Sequence, residues 1–359
     1  MKENISFLAT AIGSFPHKNI EEAIECVFAN IPQMPVCPQL SNYCANEDML
    51  VQYTENFPGV IKENLKNIAA TQSDEFFEKL EEFYADYETI VNEKELDLLE
   101  KYAISRDYYS SMELFLQKVK ETKPPFVKGQ IIGPFTLGTS LLDEEKRCCF
   151  YDETFRDILV KTLTLKALWQ VNEFRKANPD TQPVIFIDEP TMSQFATSAY
   201  ITVSKEDIIS VISEIVNVLK EFDVIAGIHC CGKTDWAMVL NCGVDIINFD
   251  AYFYSQNFSL FSKDLEKFLH KGGIIAWGVV PSLDVEALKN AKSEDLIAIY
   301  ENAKDLLVNK GISEEKILKA SIFTPSCGTG SLSVENAQKV MEYLRHLSEH
   351  FRNKYEEKF

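Results

Sequence analysis

The chain has little basic charge. Its 359 residues carry 36 Lys and Arg against 55 Asp and Glu, a formal net charge of −19. No arginine occurs before Arg106. A surface of that sign repels a phosphate backbone, so no nucleic-acid partner is expected. No apolar run approaches the roughly 18 residues needed to cross a bilayer. Met1-Lys2-Glu3-Asn4 leads into only a short apolar run, so neither a membrane partner nor a secretory leader is expected. Linkers, low-complexity tracts and sequence repeats are also absent. Nine cysteines, an odd number in a large chain, argue against a disulfide framework. They suit thiol or metal chemistry in a reducing compartment, and the cytoplasm is the expected location.

What is present is a regular alternation. Apolar runs at 5–12, 34–40, 126–132, 183–187, 224–229, 273–280 and 317–323, and one ending at Asp250, read as strands. Segments with helical period lie at 19–30, 154–177, 205–222, 234–240, 260–270 and 293–309, and Ser333 is an expected N-cap for a last helix. Eight strands alternating with helices predict a parallel sheet closed into a (β/α)8 TIM barrel, with residues 1–359 as one domain. The polar, acidic stretch at about 61–123 is helical in period and is expected as a helical cap or insertion after the early strands. Its stripe of Phe76, Phe77, Leu80, Phe83 and Tyr84 reads as a helix packed on a core.

Reactive side chains gather where the apolar runs end, the face on which such barrels carry their active sites. One run ends in His229-Cys230-Cys231. Side chains alternate along a strand, so His229 and Cys231 share a face and Cys230 points the other way. A His and a Cys converging at a strand end make half of a zinc site, and Cys327, after another apolar run, is the candidate to extend it. One His and two Cys, with a carboxylate or an open fourth place, is a catalytic zinc set. Another run ends in Asp188-Glu189-Pro190, two candidate catalytic carboxylates of which one faces the site. The remaining cysteines read as core, with Cys37 and Cys44 closest to the active end, and His17 follows the first strand.

These pieces, taken together and in order, resemble the C-terminal catalytic barrel of cobalamin-independent methionine synthase, within the group that also holds uroporphyrinogen decarboxylase. The matching residues are Ile12-Gly13-Ser14-Phe15-Pro16, Ile187-Asp188-Glu189-Pro190, His229 and Cys231, Asp250, and Pro325-Ser326-Cys327-Gly328. The resemblance implies a stand-alone catalytic barrel. It implies zinc held by His229, Cys231 and Cys327, with Asp250 where the family has a Glu as fourth ligand. It places Ile12, Gly13, Ser14 and Asp188 around the amino-acid part of a thiol substrate such as homocysteine. The implied activity is zinc-dependent methyl transfer to a zinc-bound small-molecule thiol, from methylcobalamin, free or on a corrinoid protein, or from methyltetrahydrofolate.

The chain departs from the family pattern in two further places. A family Glu that binds the amino group is replaced in the stretch Asn42-Tyr43-Cys44, and no His follows the 273–280 run. Both departures bear on substrate and donor and leave the zinc–thiol chemistry untouched. Two other functions compete. A decarboxylase of the uroporphyrinogen type acts on a polycarboxylate and calls for early arginines, which are missing. A non-catalytic zinc-binding protein would close its fourth ligand position.

Overall fold

The computed structural model describes residues 4–63, 66–69 and 74–355. The strands in chain order are β1 (Val60–Glu63), β2 (Lys66–Ala69), β3 (Phe126–Ile132), β4 (Leu142–Asp143), β5 (Gln182–Asp188), β6 (Ile225–Cys230), β7 (Ile246–Phe249), β8 (Ile274–Val280) and β9 (Ser321–Pro325). Six of them form a parallel sheet in the order β3-β5-β6-β7-β8-β9. Helices intervene between successive sheet strands, including Glu153–Ala177 and Lys205–Glu221, as parallel crossovers require. The curled sheet is TIM-like. None of the described helices is long and apolar enough to cross a membrane.

A closed ring of eight ladder strands is not what forms. The segments expected as the first two strands attach through isolated parallel bridges, Ala9 to Phe323, Ser14 to Gln39 and Val36 to Lys128. The backbone gives the reason. Phe7 sits at φ +59°, a left-handed conformation that breaks an extended run, and Pro35 and Pro38 bring no N–H to a ladder. The region after Gly59 also differs from the expected all-helical insertion. β1 and β2 pair antiparallel, and β2 pairs parallel with β4. Helix Asp74–Glu88 follows, with Phe76 and Phe83 buried and Phe77 exposed.

Two apolar clusters follow the alternation of the strands. Phe126, Val184, Phe186, Ile246, Ala276 and Ile322 belong to one that fills the concave side of the sheet. Ile185, Ile187, Ile228, Ile247 and Trp277 belong to the other, which continues into the helices. Two residues beyond Phe186 on the inner face is Asp188; two beyond Ile246 is Asn248. The inner face therefore runs from an apolar base to a polar rim.

Glu189 shows how the rim is braced. It is fully buried and turned away from the inner face. One carboxylate oxygen accepts from the Phe135 N–H at 2.9 Å; the other accepts from Thr136 N–H at 2.9 Å and from its hydroxyl at 2.6 Å. These are free N–H groups at the start of helix Pro134–Ser140. Gly133 is required there, because a Cβ would fall 2.0 Å from the Glu189 carboxyl carbon. Burial pushes the Glu189 carboxyl up to about 7, against the pull of those donors. Replacing Glu189 with Ala leaves buried N–H groups unpaired and should cost about 2–4 kcal/mol in urea unfolding. An unchanged unfolding midpoint would show that the brace carries no load.

Candidate metal centre

β6 delivers the first two donors. Ile225, Gly227 and His229 lie on the inner face, and the chain leaves the strand with Cys231 on the same side. Cys230 points outward, fully buried, and burial pushes its thiol up to about 12. Cys327 arrives from the turn after β9. Its backbone is clamped by Ser282, whose hydroxyl accepts from the Cys327 N–H at 2.9 Å and donates to its carbonyl at 2.8 Å. The next residue must be Gly328, since a Cβ there would meet the Ser14 hydroxyl at 2.0 Å. Thr329 N–H then donates to the Ser14 carbonyl at 2.9 Å, tying this turn to the Ile12-Gly13-Ser14 turn.

The result is a group of one imidazole and two thiols. A ring nitrogen of His229 and the sulfurs of Cys231 and Cys327 lie within 4.8 Å of one another. The tautomer of His229 follows from its neighbours. The Asn248 amide donates to the Ala276 carbonyl at 2.9 Å and to the Thr324 hydroxyl at 2.6 Å. Both donor hydrogens are thus committed, and the Asn248 carbonyl oxygen faces His229 Nδ1, which must donate to it. Nε2 is left buried, with a lone pair and no hydrogen-bond partner among the described residues. That is the arrangement of a metal-ligating histidine.

The electrostatics act on the thiols and the imidazole in different directions. The hydrogen bond with Cys327 holds the Cys231 thiol well below the ordinary range, with His229 adding to the effect, and Cys327 is pushed up in turn. The pair therefore favours a thiolate on Cys231. Burial works against a charged His229, but Cys231 and Asp188 outweigh it and raise its pKa.

The centre forms one wall of a cavity of about 270 Å³. Ile12, Ser14 and Asp188 line it, as do His229, Cys231 and Cys327. Gly13 contributes a carbonyl that accepts from Gln39 N–H at 2.8 Å. Burial raises the pKa of Asp188, opposed by His229 and Lys128. Asp250 stands outside the three-residue group. One of its oxygens caps helix Ala251–Phe258 through the Phe253 N–H at 2.9 Å; the other is buried and unpartnered. Burial pushes its carboxyl up to about 7. Glu189, expected as a second catalytic carboxylate, does not reach the cavity. Cys37 is buried against Ser111 and Met112 and is pushed up to about 12 by burial, and His17 is buried away from the cavity lining.

Sequence reasoning missed the wall opposite. Gln39, Ser41, Glu47, Asp48 and Met49 also face the cavity. Glu47 is fully buried, with its carboxylate accepting from Leu40 N–H at 2.6 Å and from Ser110 N–H at 2.8 Å. The resemblance called for a Glu in this stretch, and Glu47, three residues after Cys44, was the signal passed over. Lys128 was also missed, although a lysine inside the apolar run of β3 is a visible signal.

No protein-family model matches the chain, and no curated protein matches it. Among solved structures it is similar to a B12-independent methionine synthase from Shewanella sp. W3-18-1 in complex with selenomethionine. The TM-score is 0.44 at 14% identity, over 68% of this chain and 68% of that chain. The likeness is distant.

Asn248 yields a test of the centre. In Asn248→Ala the imidazole loses its fixed tautomer, and metal affinity should fall about 10- to 100-fold in chelator competition. Wild-type affinity in a folded variant would mean that the tautomer lock is not used for ligation.

Proposed function

We propose that the chain is a zinc-dependent methyltransferase acting on a small thiol. The convergence of His229 Nε2 with the sulfurs of Cys231 and Cys327 at the cavity wall carries this reading. The donors fit zinc. Thiolate and imidazole are soft to borderline ligands that favour it over magnesium or calcium. Three protein ligands would leave one tetrahedral place for a substrate sulfur, and all three residues line the cavity. Zinc held there supplies a thiolate nucleophile at neutral pH, where a free thiol is mostly protonated.

The chain's own residues do the rest. Asn248 aims the imidazole. Ser282 fixes the backbone that presents Cys327. Asp188 offers a carboxylate to a cationic group on the incoming thiol, with homocysteine as one such thiol, and the Ser14 turn, tied to the Cys327 turn, adds to the cavity lining. The methyl step itself follows the sequence resemblance: the thiol gives up its proton, its sulfur takes the methyl group to form a thioether, and the donor's bond to that carbon breaks with the electron pair staying on the donor, leaving cob(I)alamin from methylcobalamin, free or on a corrinoid protein, or tetrahydrofolate, protonated at nitrogen, from methyltetrahydrofolate. A decarboxylase acting on a polycarboxylate fits poorly, because Glu47, Asp48 and Asp188 line the cavity and, among the described residues, no Lys or Arg does.

The purified protein should carry about one zinc per chain. Cys231→Ser should lose most of it and Cys230→Ser should keep it, by metal analysis. Mixing the zinc protein with methylcobalamin and a panel of thiols should then consume the cobalt–methyl absorbance, and methyltetrahydrofolate is the parallel arm. A zinc-free protein after zinc-replete expression, or equal loss in both cysteine variants, would sink the metal assignment. A zinc protein inert toward every thiol would sink the transfer.

Asp250 is already committed as a helix cap. Asp250→Ala should therefore change zinc affinity less than tenfold while lowering stability by about 1 kcal/mol. A loss of zinc affinity approaching that of Cys327→Ser would instead make Asp250 the fourth ligand.

A further inference from the structure

Gln39 stands on the cavity wall with its main chain fixed on both sides. Its N–H donates to the Gly13 carbonyl at 2.8 Å, and its carbonyl accepts from the Phe15 N–H at 2.9 Å. Its partner across that parallel bridge is Ser14. The Ser14 hydroxyl packs in turn against Gly328, the residue after Cys327. Ser14 thus links Gln39 to the turn that presents Cys327, and Gln39 and Cys327 line one cavity of about 270 Å³.

The side chain is fixed as well, and Gln52 decides which way round. Gln52 is fully buried at the end of helix Met49–Gln52. A carbonyl can only accept, so the Gln52 amide nitrogen faces the Tyr108 carbonyl and donates to it at 2.8 Å. The Gln52 oxygen is left facing Gln39, where it accepts from the Gln39 amide nitrogen at 2.7 Å. The Gln39 amide cannot flip without setting two oxygens against each other. Gln39 is only 6% exposed, and Oε1 is its one side-chain polar atom with no hydrogen-bond partner among the described residues. What enters the cavity therefore meets an acceptor whose orientation is already set, and such an oxygen costs least when a donor pairs with it.

We propose that Gln39 is a specificity-determining residue of the thiol site: its amide oxygen, held by Gln52, accepts a hydrogen bond from a hydroxyl or amino group on the incoming thiol. The substrate class is then thiols that carry an O–H or N–H donor. An alkanethiol of the same size is disfavoured, because it leaves the oxygen unpaired. Gln52 does not line the cavity and is a positioning residue that acts through Gln39. The inference rests on the thiol-binding reading above.

The test uses the cobalt-substituted protein, with thiol binding read from the thiolate-to-cobalt absorption. The probes are short hydroxyalkanethiols and aminoalkanethiols, each compared with the alkanethiol that has a methyl group in place of the donor. Gln39→Met keeps the length of the side chain and removes the acceptor. It should lower the ratio of polar to apolar affinity about tenfold in at least one of the two series, and that series names the donor. Gln52→Met leaves the cavity wall intact, so it should lower the same ratio about threefold and have no further effect in the Gln39→Met background. Gln39→Leu replaces Gln39→Met if the latter does not fold, with the same expected outcomes. An unchanged ratio in the folded Gln39 variant overturns the proposal, even where the unfolding temperature falls, because a merely structural glutamine gives that result. So does an undiminished effect of Gln52→Met in the Gln39→Met protein. The thiol reading survives both results, since the protein still binds thiols at the metal. Wild-type protein that takes up cobalt yet binds no thiol overturns the thiol reading itself, and the role of Gln39 with it.

Discussion

Side chains on the inner face of a curled parallel sheet converge, and a strand offers that face only every second residue. This constraint decides what reaches the cavity. His229 and Cys231 are two apart and arrive together; Cys230 between them is buried in the outer core. Asp188 and Glu189 are one apart and part company, one to the cavity and one to the start of a helix. The same phase puts Asn248 behind His229, because β6 and β7 pair His229 with Asn248 directly. The tautomer lock is thus a product of strand register. A one-residue slip would remove the histidine, its partner and the thiol from the site at once.

The rim is also where the chain accumulates buried polar groups. Each is tolerable only because a neighbour answers it. The Glu189 carboxylate has three donors and the Glu47 carboxylate has two backbone N–H groups. The His229 Nε2 and single oxygens of Asp188 and Asp250 have none, and all three residues lie toward the cavity end. Buried atoms far from the cavity, Thr162 Oγ1, Trp236 Nε1 and Arg345 Nε among them, also lack a partner among the described residues, so what singles out this end is the grouping of His229 with two thiols at a cavity wall.

The sequence showed this site more clearly than it showed the surrounding fold. The positions of His229, Cys231 and Cys327 were legible because strand alternation is a strict period and a cysteine after an apolar run is conspicuous. The alternation of apolar runs with helices likewise anticipated the parallel sheet and the helix Glu153–Ala177. The first two segments were not legible as isolated bridges: Phe7 carries no sign of its left-handed backbone, and the prolines at 35 and 38 were only a warning. The β1–β2 hairpin lay inside a stretch whose polar composition suits a helix equally well. Helix Ala251–Phe258 was missed because its first turn is aromatic, and the role of Asp250 as its cap went unseen. Chemistry on regular strands was readable, whereas the irregular wall from Gln39 to Met49 is assembled by contacts distant in sequence, such as Glu47 with Ser110.

Asp250 shows how one carboxylate serves two demands. As an N-cap, one of its oxygens accepts from the Phe253 N–H, which holds the carboxylate at the start of helix Ala251–Phe258. The second oxygen has no hydrogen-bond partner among the described residues, so the cap occupies only half of the carboxylate. His229, Cys231 and Cys327 group without it. The free oxygen of Asp250 still faces the charge of Cys231 and His229, and it suits accepting a hydrogen bond from whatever occupies the remaining tetrahedral place.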